Sequence, residues 1–303
     1  MVLIAGPTAS GKSAVATALA GRIGGVVVNA DSMQVYRELR ILTARPDEAE
    51  CARVPHLLYG HVPAAEAYSA GRFTAEAAVA IEHARTQGRV AVVAGGTGLY
   101  LRSLIEPMSP VPPVPGAVRE KVRARMAAFG PAAAHETLAD IDPAAASRLP
   151  AGDSQRIARA LEVYEATGVS LSEWHRAPKQ PPVLAAERVA RLILWPDREA
   201  LRERIADRFH AMIEAGALGE AAAYGKLRLS DELPATRAHG LRALMRVAEG
   251  TMGLDEAIAG AIDETRQYAK RQFTWFRHQF AYWPRADPAA ADIAAMLESK
   301  LSG

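Results

Sequence analysis

The segment Gly6-Pro7-Thr8-Ala9-Ser10-Gly11-Lys12-Ser13 has the spacing G-x-x-x-x-G-K-[ST], which suits a polyphosphate ligand. Its glycines let main-chain N–H groups turn inward, a following helix N-terminus adds partial positive charge, and Lys12 adds a full one. The Ser13 hydroxyl is placed to ligate a Mg²⁺ ion that bridges phosphate oxygens. The loop alone leaves the reaction open, because NTPases, kinases and transferases that expel pyrophosphate share it. Two further positions narrow the choice. Asp31 ends the run Val26-Val27-Val28-Asn29-Ala30, where a carboxylate serves as a general base or a partner of the Mg²⁺ shell. Its structural alternative is a capping-box pair with Gln34. Thr97 lies in Gly95-Gly96-Thr97-Gly98-Leu99-Tyr100, whose glycines permit close approach of a ligand. Capping the next helix is a second role for Thr97, compatible with the first.

These three segments share an edge only if a sheet puts them there. Residues 2–5, 26–29 and 90–94 are short apolar runs ending at small or polar residues, as buried parallel strands do. Residues 57–62 form a weaker run of the same kind. Helical spacing over 12–23 and 73–86, with Glu76 and Glu82 outward, supplies the connections of an α/β sheet. From residue 107 to 115 five prolines make a stiff connector that is neither helix nor central strand. An Ala/Arg/Glu-rich helical stretch follows to about residue 168, and prolines close it at 178–182. Residues 189–195 then return to a strand pattern. The expected fold is a P-loop NTPase-like parallel sheet over 1–112 and 184–303, interrupted by a small all-helical insertion at 113–183. Helices fill the chain after residue 197, followed by a short apolar piece at 280–283 and a last helix from about Pro288.

Composition excludes several classes. Half of the residues are apolar and 23% are charged, enough to build a core and too little charge for a disordered chain. The 36 Lys and Arg nearly balance 34 Asp and Glu, so nucleic-acid affinity depends on where the cations sit. One cysteine, Cys51, cannot form an intrachain disulfide. No uncharged apolar run approaches the ~18 residues of a membrane span. A soluble cytoplasmic protein without a membrane partner is expected, and a monomer, since no heptad run predicts a coiled coil. No G-x-S-x-G or H-E-x-x-H segment offers another nucleophile or a zinc site. Arg266, Lys270, Arg271, Arg277 and His278, interleaved with Tyr268, Phe273, Trp275 and Phe276, read either as a nucleic-acid face or as a solvated helix face over an aromatic core stripe.

Taken in order, five segments resemble the bacterial tRNA dimethylallyltransferases, also called tRNA isopentenyltransferases. They are residues 6–13; Asp31-Ser32-Met33-Gln34-Val35-Tyr36 with Thr43-Ala44-Arg45-Pro46; residues 95–100; Gln155-Arg156-Ile157-Ala158-Arg159; and Tyr268-Ala269-Lys270-Arg271-Gln272 with Thr274-Trp275-Phe276-Arg277. The resemblance spans almost the whole chain. It implies transfer of a dimethylallyl group from its diphosphate to the exocyclic amine of the adenosine 3′ of the anticodon. By position, Asp31 resembles the general base and Thr97 the hydroxyl that holds the diphosphate and positions the adenine. Gly6, Thr8, Ala9, Ser10, Gly11, Lys12 and Ser13 resemble the diphosphate cradle, with Mg²⁺ at Ser13. The anticodon stem-loop of tRNA would meet Asp31, Ser32, Met33, Gln34, Thr97 and Arg119. It would also meet residues 155–159 with Lys270, Arg271 and Arg277. This chain departs from the pattern at Ala238-His239-Gly240-Leu241-Arg242, where Leu241 stands in place of a tyrosine.

Two rivals share the glycine loop. A small-molecule or nucleoside kinase would use Asp31 to activate a hydroxyl, but no paired-arginine lid is present and the basic-aromatic stretch suits a macromolecule. An RNA-binding NTPase switch would end the run 90–94 in Asp or Glu, where glycine stands instead.

Overall fold

Alternate residues of the apolar runs bury on opposite sides of one sheet. In the computed structural model, which describes residues 1–184, 189–289 and 292–302, β1 (Val2–Ala5) leads through the glycine loop into α1 (Lys12–Arg22), and β2 (Val26–Asn29) follows. After α2 (Glu48–Arg53) and β3 (His56–Leu57) come α3 (Ala70–Thr86), β4 (Ala91–Gly95) and α4 (Gly98–Ile105). Four helices then follow: α5 (Gly116–Ile141), α6 (Pro143–Ala146), α7 (Ser154–Thr167) and α8 (Leu171–Arg176). The chain continues with β5 (Ala190–Leu194), α9 (Arg198–Glu214), α10 (Ala217–Gly225), α11 (Leu241–Ala248) and α12 (Leu254–Gln279). It ends with β6 (Arg285–Ala286) and α13 (Ile293–Ser302). The strand order is β3-β2-β4-β1-β5-β6, and every strand pair is parallel.

Leu3, Val26, Val28, Val93 and Ile193 face one core together with Phe209, Leu241 and Phe276. Val2, Ile4, Val27, Val92 and Leu192 face the other, which Leu19 of α1 and Leu297 of α13 cover. Both faces are dry, which is why the strands read as continuous apolar runs rather than alternating ones.

Two compact units make up the chain: Met1–Ile105 with Val183–Gly303, and Glu106–Pro182. The second has its own core of Val122, Leu138, Ile157 and Leu161. Within it α5 breaks at Gly130, where φ is 80° ahead of Pro131, a conformation that glycine adopts freely. Among the described residues no helix is long and apolar enough to cross a membrane.

Local departures from the expected elements have physical causes. Of the run at 57–62 only Leu57 lies in a strand, β3, because Leu58 and Gly60 adopt φ of 63° and 57°. Val62 keeps a lone parallel bridge to Tyr36. Glu76 does not simply point outward: its carboxylate accepts from Arg72, Tyr68 and His61. Residues 280–283 form no strand; Phe280 and Trp283 stack at 4.1 Å between ring centroids, and the edge strand comes just after, at β6. The last helix starts at Ile293 rather than near Pro288; residues 290 and 291 lie outside the described residues.

Candidate active site

The register levels the ends of the central strands, with Ala5 opposite Gly95 and Asn29 opposite Ala94. The loops after β1, β2 and β4 therefore leave the sheet at one edge. The last two are laced together: Ala30 N–H donates to Ala94 O at 2.8 Å, and Thr97 N–H to Ala30 O at 3.2 Å. Such closeness requires glycine at position 95, where a Cβ would overlap the Ala30 main chain.

Asp31 is held on both sides. Asn29 Oδ1 accepts its N–H at 2.8 Å, and Asn29 Nδ2 donates to the carbonyls of Asp31 and Leu58 at 3.0 Å each. Asp31 Oδ1 in turn accepts the N–H of Met33 at 2.9 Å. This is an Asx turn and no helix follows, so the capping box with Gln34 does not form. The Gln34 side chain donates instead to the carbonyls of Thr43 and Ala44, so its amide nitrogen is occupied within the protein. Thr97 Oγ1 accepts Ser32 N–H at 3.0 Å and donates to Ser32 Oγ at 3.2 Å. The Tyr268 hydroxyl lies within reach of both Thr97 and Gln272.

The glycine loop turns through left-handed conformations at Ala9 (φ 60°) and Gly11 (φ 86°). Ser10 is fully buried, and its hydroxyl lacks a partner among the described residues. Lys12 Nζ donates to Pro7 O at 3.1 Å. Burial lowers the Lys12 pKa from 10.5 to about 8, with Asp31 opposing the shift and Arg208 adding to it. Arg208 of α9 donates to Thr8 Oγ1 at 2.7 Å; burial lowers its pKa, and Asp31 again opposes. The half-buried Asp31 carboxylate thus faces two half-buried cations.

Gln272 of α12 ties the loops together, accepting Thr8 N–H at 2.8 Å and donating to Gly96 O at 2.8 Å. Gln272→Ala should lower unfolding stability by about 1–3 kcal/mol for each main-chain group left buried and unpaired, measured by urea denaturation. Arg208 carried no sequence signal, being one arginine among several on a helix whose burial only the fold decides. Gln272 lies in the segment 268–272 without a local signal for this role, and Tyr268 reads from sequence only as one of the aromatics between the cations of α12.

Lys270, Arg271, Arg277 and His278 are exposed on α12, while Phe273 and Phe276 are buried beneath them. The basic face and the aromatic core stripe are therefore two sides of one helix. Lys270, Arg271 and His278 line, with Trp275, a cleft of about 730 Å³. In the Glu106–Pro182 unit, Gln155 and Arg156 are exposed, and Arg119, Ala158 and Arg159 are half-buried. Arg119, Arg123 and Arg159 all act on the buried carboxylate of Glu162. Ile157 is a correction: it is fully buried in that unit's core, so its side chain offers RNA nothing to touch.

A parallel α/β sheet with a polyphosphate loop at its carboxyl edge defines a protein of P-loop NTPase-like fold. The IPP transferase family model matches residues 34–279, and the chain belongs to that family. It is 54% identical to the tRNA dimethylallyltransferase of Nitrobacter hamburgensis over 98% of this chain and 94% of that one. Its structure resembles a tRNA isopentenylpyrophosphate transferase from Bacillus halodurans with TM-score 0.68 and 30% identity, covering 99% of this chain and 96% of the other. A eukaryotic dimethylallyltransferase solved while acting on tRNA gives TM-score 0.78 at 27% identity, covering 99% of this chain and 77% of that one.

Proposed function

We propose that this chain is a tRNA prenyltransferase that moves a dimethylallyl group from dimethylallyl diphosphate to the N6 amine of the adenosine 3′-adjacent to the anticodon, releasing diphosphate. The observation that carries the reading is a carboxylate set against two partly desolvated cations at one sheet edge, Asp31 against Lys12 and Arg208.

An adenine amine is a weak nucleophile because its lone pair is delocalised into the ring. Asp31 accepts the amine proton as the C–N bond forms, help typically worth about 10²–10⁴ in rate. The allylic carbon departs from its diphosphate with cationic character, so the leaving oxygens gather charge. Lys12, Arg208 and the N–H groups of the loop receive that charge at a half-buried edge. Thr97, linked to Ser32, orients both the adenine and the diphosphate. The base leaves its stack to reach this edge at a cost of a few kcal/mol, which the cations of α12 and the Arg119–Arg159 group offset through phosphate contacts.

Among the described residues no group of three or more His, Cys, Asp or Glu could hold a metal. The Ser13 hydroxyl and the oxygens of a diphosphate are the hard oxygen donors that Mg²⁺ takes. Ser13, exposed on the first turn of α1, is the hydroxyl that would hold Mg²⁺. Such an ion would supply further neutralisation of the leaving diphosphate.

The assay incubates the protein with unmodified tRNA, dimethylallyl diphosphate and Mg²⁺, then digests the RNA and weighs its nucleosides. Prenylated adenosine is expected. Its absence, together with phosphate transfer from ATP to a small acceptor, would return the reading to a kinase.

The lowered Lys12 pKa gives a pH test. Below about 8 the lysine is charged, and above it the free protein loses that charge. A bound diphosphate favours the charged form, so affinity should fall as pH rises past 8, with proton uptake on binding above that pH. Calorimetric titration in buffers of different ionisation enthalpy reads the uptake directly.

A further inference from the structure

Residues 31–45 hold Asp31, yet apart from the bridge at Tyr36 they contain only turns and irregular backbone. Such a segment keeps a base in place only if something outside it takes up its main-chain groups. Glu220, in the first turn of α10, does this. Its Oε1 accepts the N–H groups of Arg40 at 2.6 Å and Ile41 at 2.8 Å, and its Oε2 accepts that of Leu42 at 2.9 Å. One carboxylate thus holds three successive amides, each in a charge-assisted bond.

The turn it grips is closed and passes the constraint on. Ala44 N–H donates to Ile41 O and Arg45 N–H to Arg40 O, both at 2.9 Å. Thr43 Oγ1 donates to Leu39 O at 2.6 Å. The outward carbonyls of Thr43 and Ala44 then receive Gln34 Nε2 at 2.8 and 2.9 Å. Gln34 adjoins Met33, whose N–H rests on the Asp31 carboxylate. A path of hydrogen bonds, completed by the peptide link between Gln34 and Met33, runs from α10 to the base. None of its hydrogen bonds reaches the glycine loop.

We propose that Glu220 is a positioning residue for the transfer reaction, fixing Asp31 at the sheet edge through the turn at 40–44 and Gln34. This rests on the reading of Asp31 as the general base. It makes a specific kinetic demand: loss of Glu220 should lower kcat while the diphosphate donor binds as before.

The full-length protein is compared with Glu220→Gln, Glu220→Asp and Glu220→Ala for kcat, for KM of each substrate, and for amide hydrogen exchange. In Glu220→Gln the remaining oxygen still accepts two amides, but the new NH₂ group opposes the N–H of Leu42. A fall in kcat of about tenfold is expected there and about 100-fold in Glu220→Ala, the size of effect that a slightly misplaced catalytic group produces. Glu220→Asp, which keeps the charge on a shorter arm, should recover part of the loss. KM for dimethylallyl diphosphate should not change in any variant. Exchange should quicken at residues 40–42 and, with them, at Met33.

A wild-type kcat in Glu220→Gln and Glu220→Ala, or exchange that quickens at 40–42 while Met33 stays protected, would overturn the inference. So would a raised KM for the donor with kcat unchanged. If the unaltered protein prenylates no tRNA, the functional reading fails, and the Met33 exchange still decides whether Glu220 holds the Asp31 segment.

Discussion

Asp31→Asn is expected to lower kcat by about 10²–10⁴-fold, the usual worth of a general base, while the protein continues to bind tRNA. The substitution is chosen for its geometry. An asparagine oxygen still accepts the Met33 N–H now held by Asp31 Oδ1, so the Asx turn survives and only basicity and charge are removed. A second effect should accompany the first. Asp31 supports the charge on Lys12 against burial, so without it the lysine should lose its proton at a lower pH. The alkaline fall in diphosphate affinity should move down the pH scale by the same cause. Single-turnover rates with saturating tRNA measure the first effect, and donor titrations across pH the second. Unchanged turnover would remove Asp31 from the mechanism.

Lys12→Met and Arg208→Met should each cost about 10²–10³ in kcat, as does loss of one preorganised donor to a developing oxyanion. Both should also weaken binding of dimethylallyl diphosphate at every pH, not only on the alkaline side as in Asp31→Asn, because their charges meet the ground-state phosphates as well. Arg208 adds to the downward shift of Lys12, so removal of the arginine should leave the lysine more readily charged. The double variant should therefore fall short of the summed losses. Arg208→Lys keeps the charge but gives up the planar reach to Thr8 Oγ1, and should restore binding more than turnover. Equal loss in Arg208→Lys and Arg208→Met would make the fork rather than the charge decisive.

The parts legible in the sequence were those set by local pattern. Strands buried on both faces announce themselves as apolar runs, so β1, β2 and β4 and the loops that follow them could be placed along the chain. The glycine loop showed in its spacing, whereas strand-end position left Asp31 and Thr97 between site and capping roles, and only the family resemblance favoured the site. What escaped depended on distant partners. Arg208 is one of several arginines on α9, and only the fold brings it to Thr8. Gln34 has the spacing of a capping partner, but its amide finds the Thr43 and Ala44 carbonyls once the turn at 40–44 is in place. Ile157 stands between residues that reach the surface, and helical geometry alone turns it inward. β6 is two residues long, too short to leave a periodic signal.

The bond from Thr8 to Gln272 joins positions 264 apart in the chain, and Arg208 reaches the same loop from 200 positions away. An emerging polypeptide that already contains Asp31, Lys12 and Thr97 therefore possesses its reactive groups but not the clasp that shapes them into a receptacle. Competence arrives with translation of α12, so fragments ending earlier should stay silent toward substrate however well their first strands have paired.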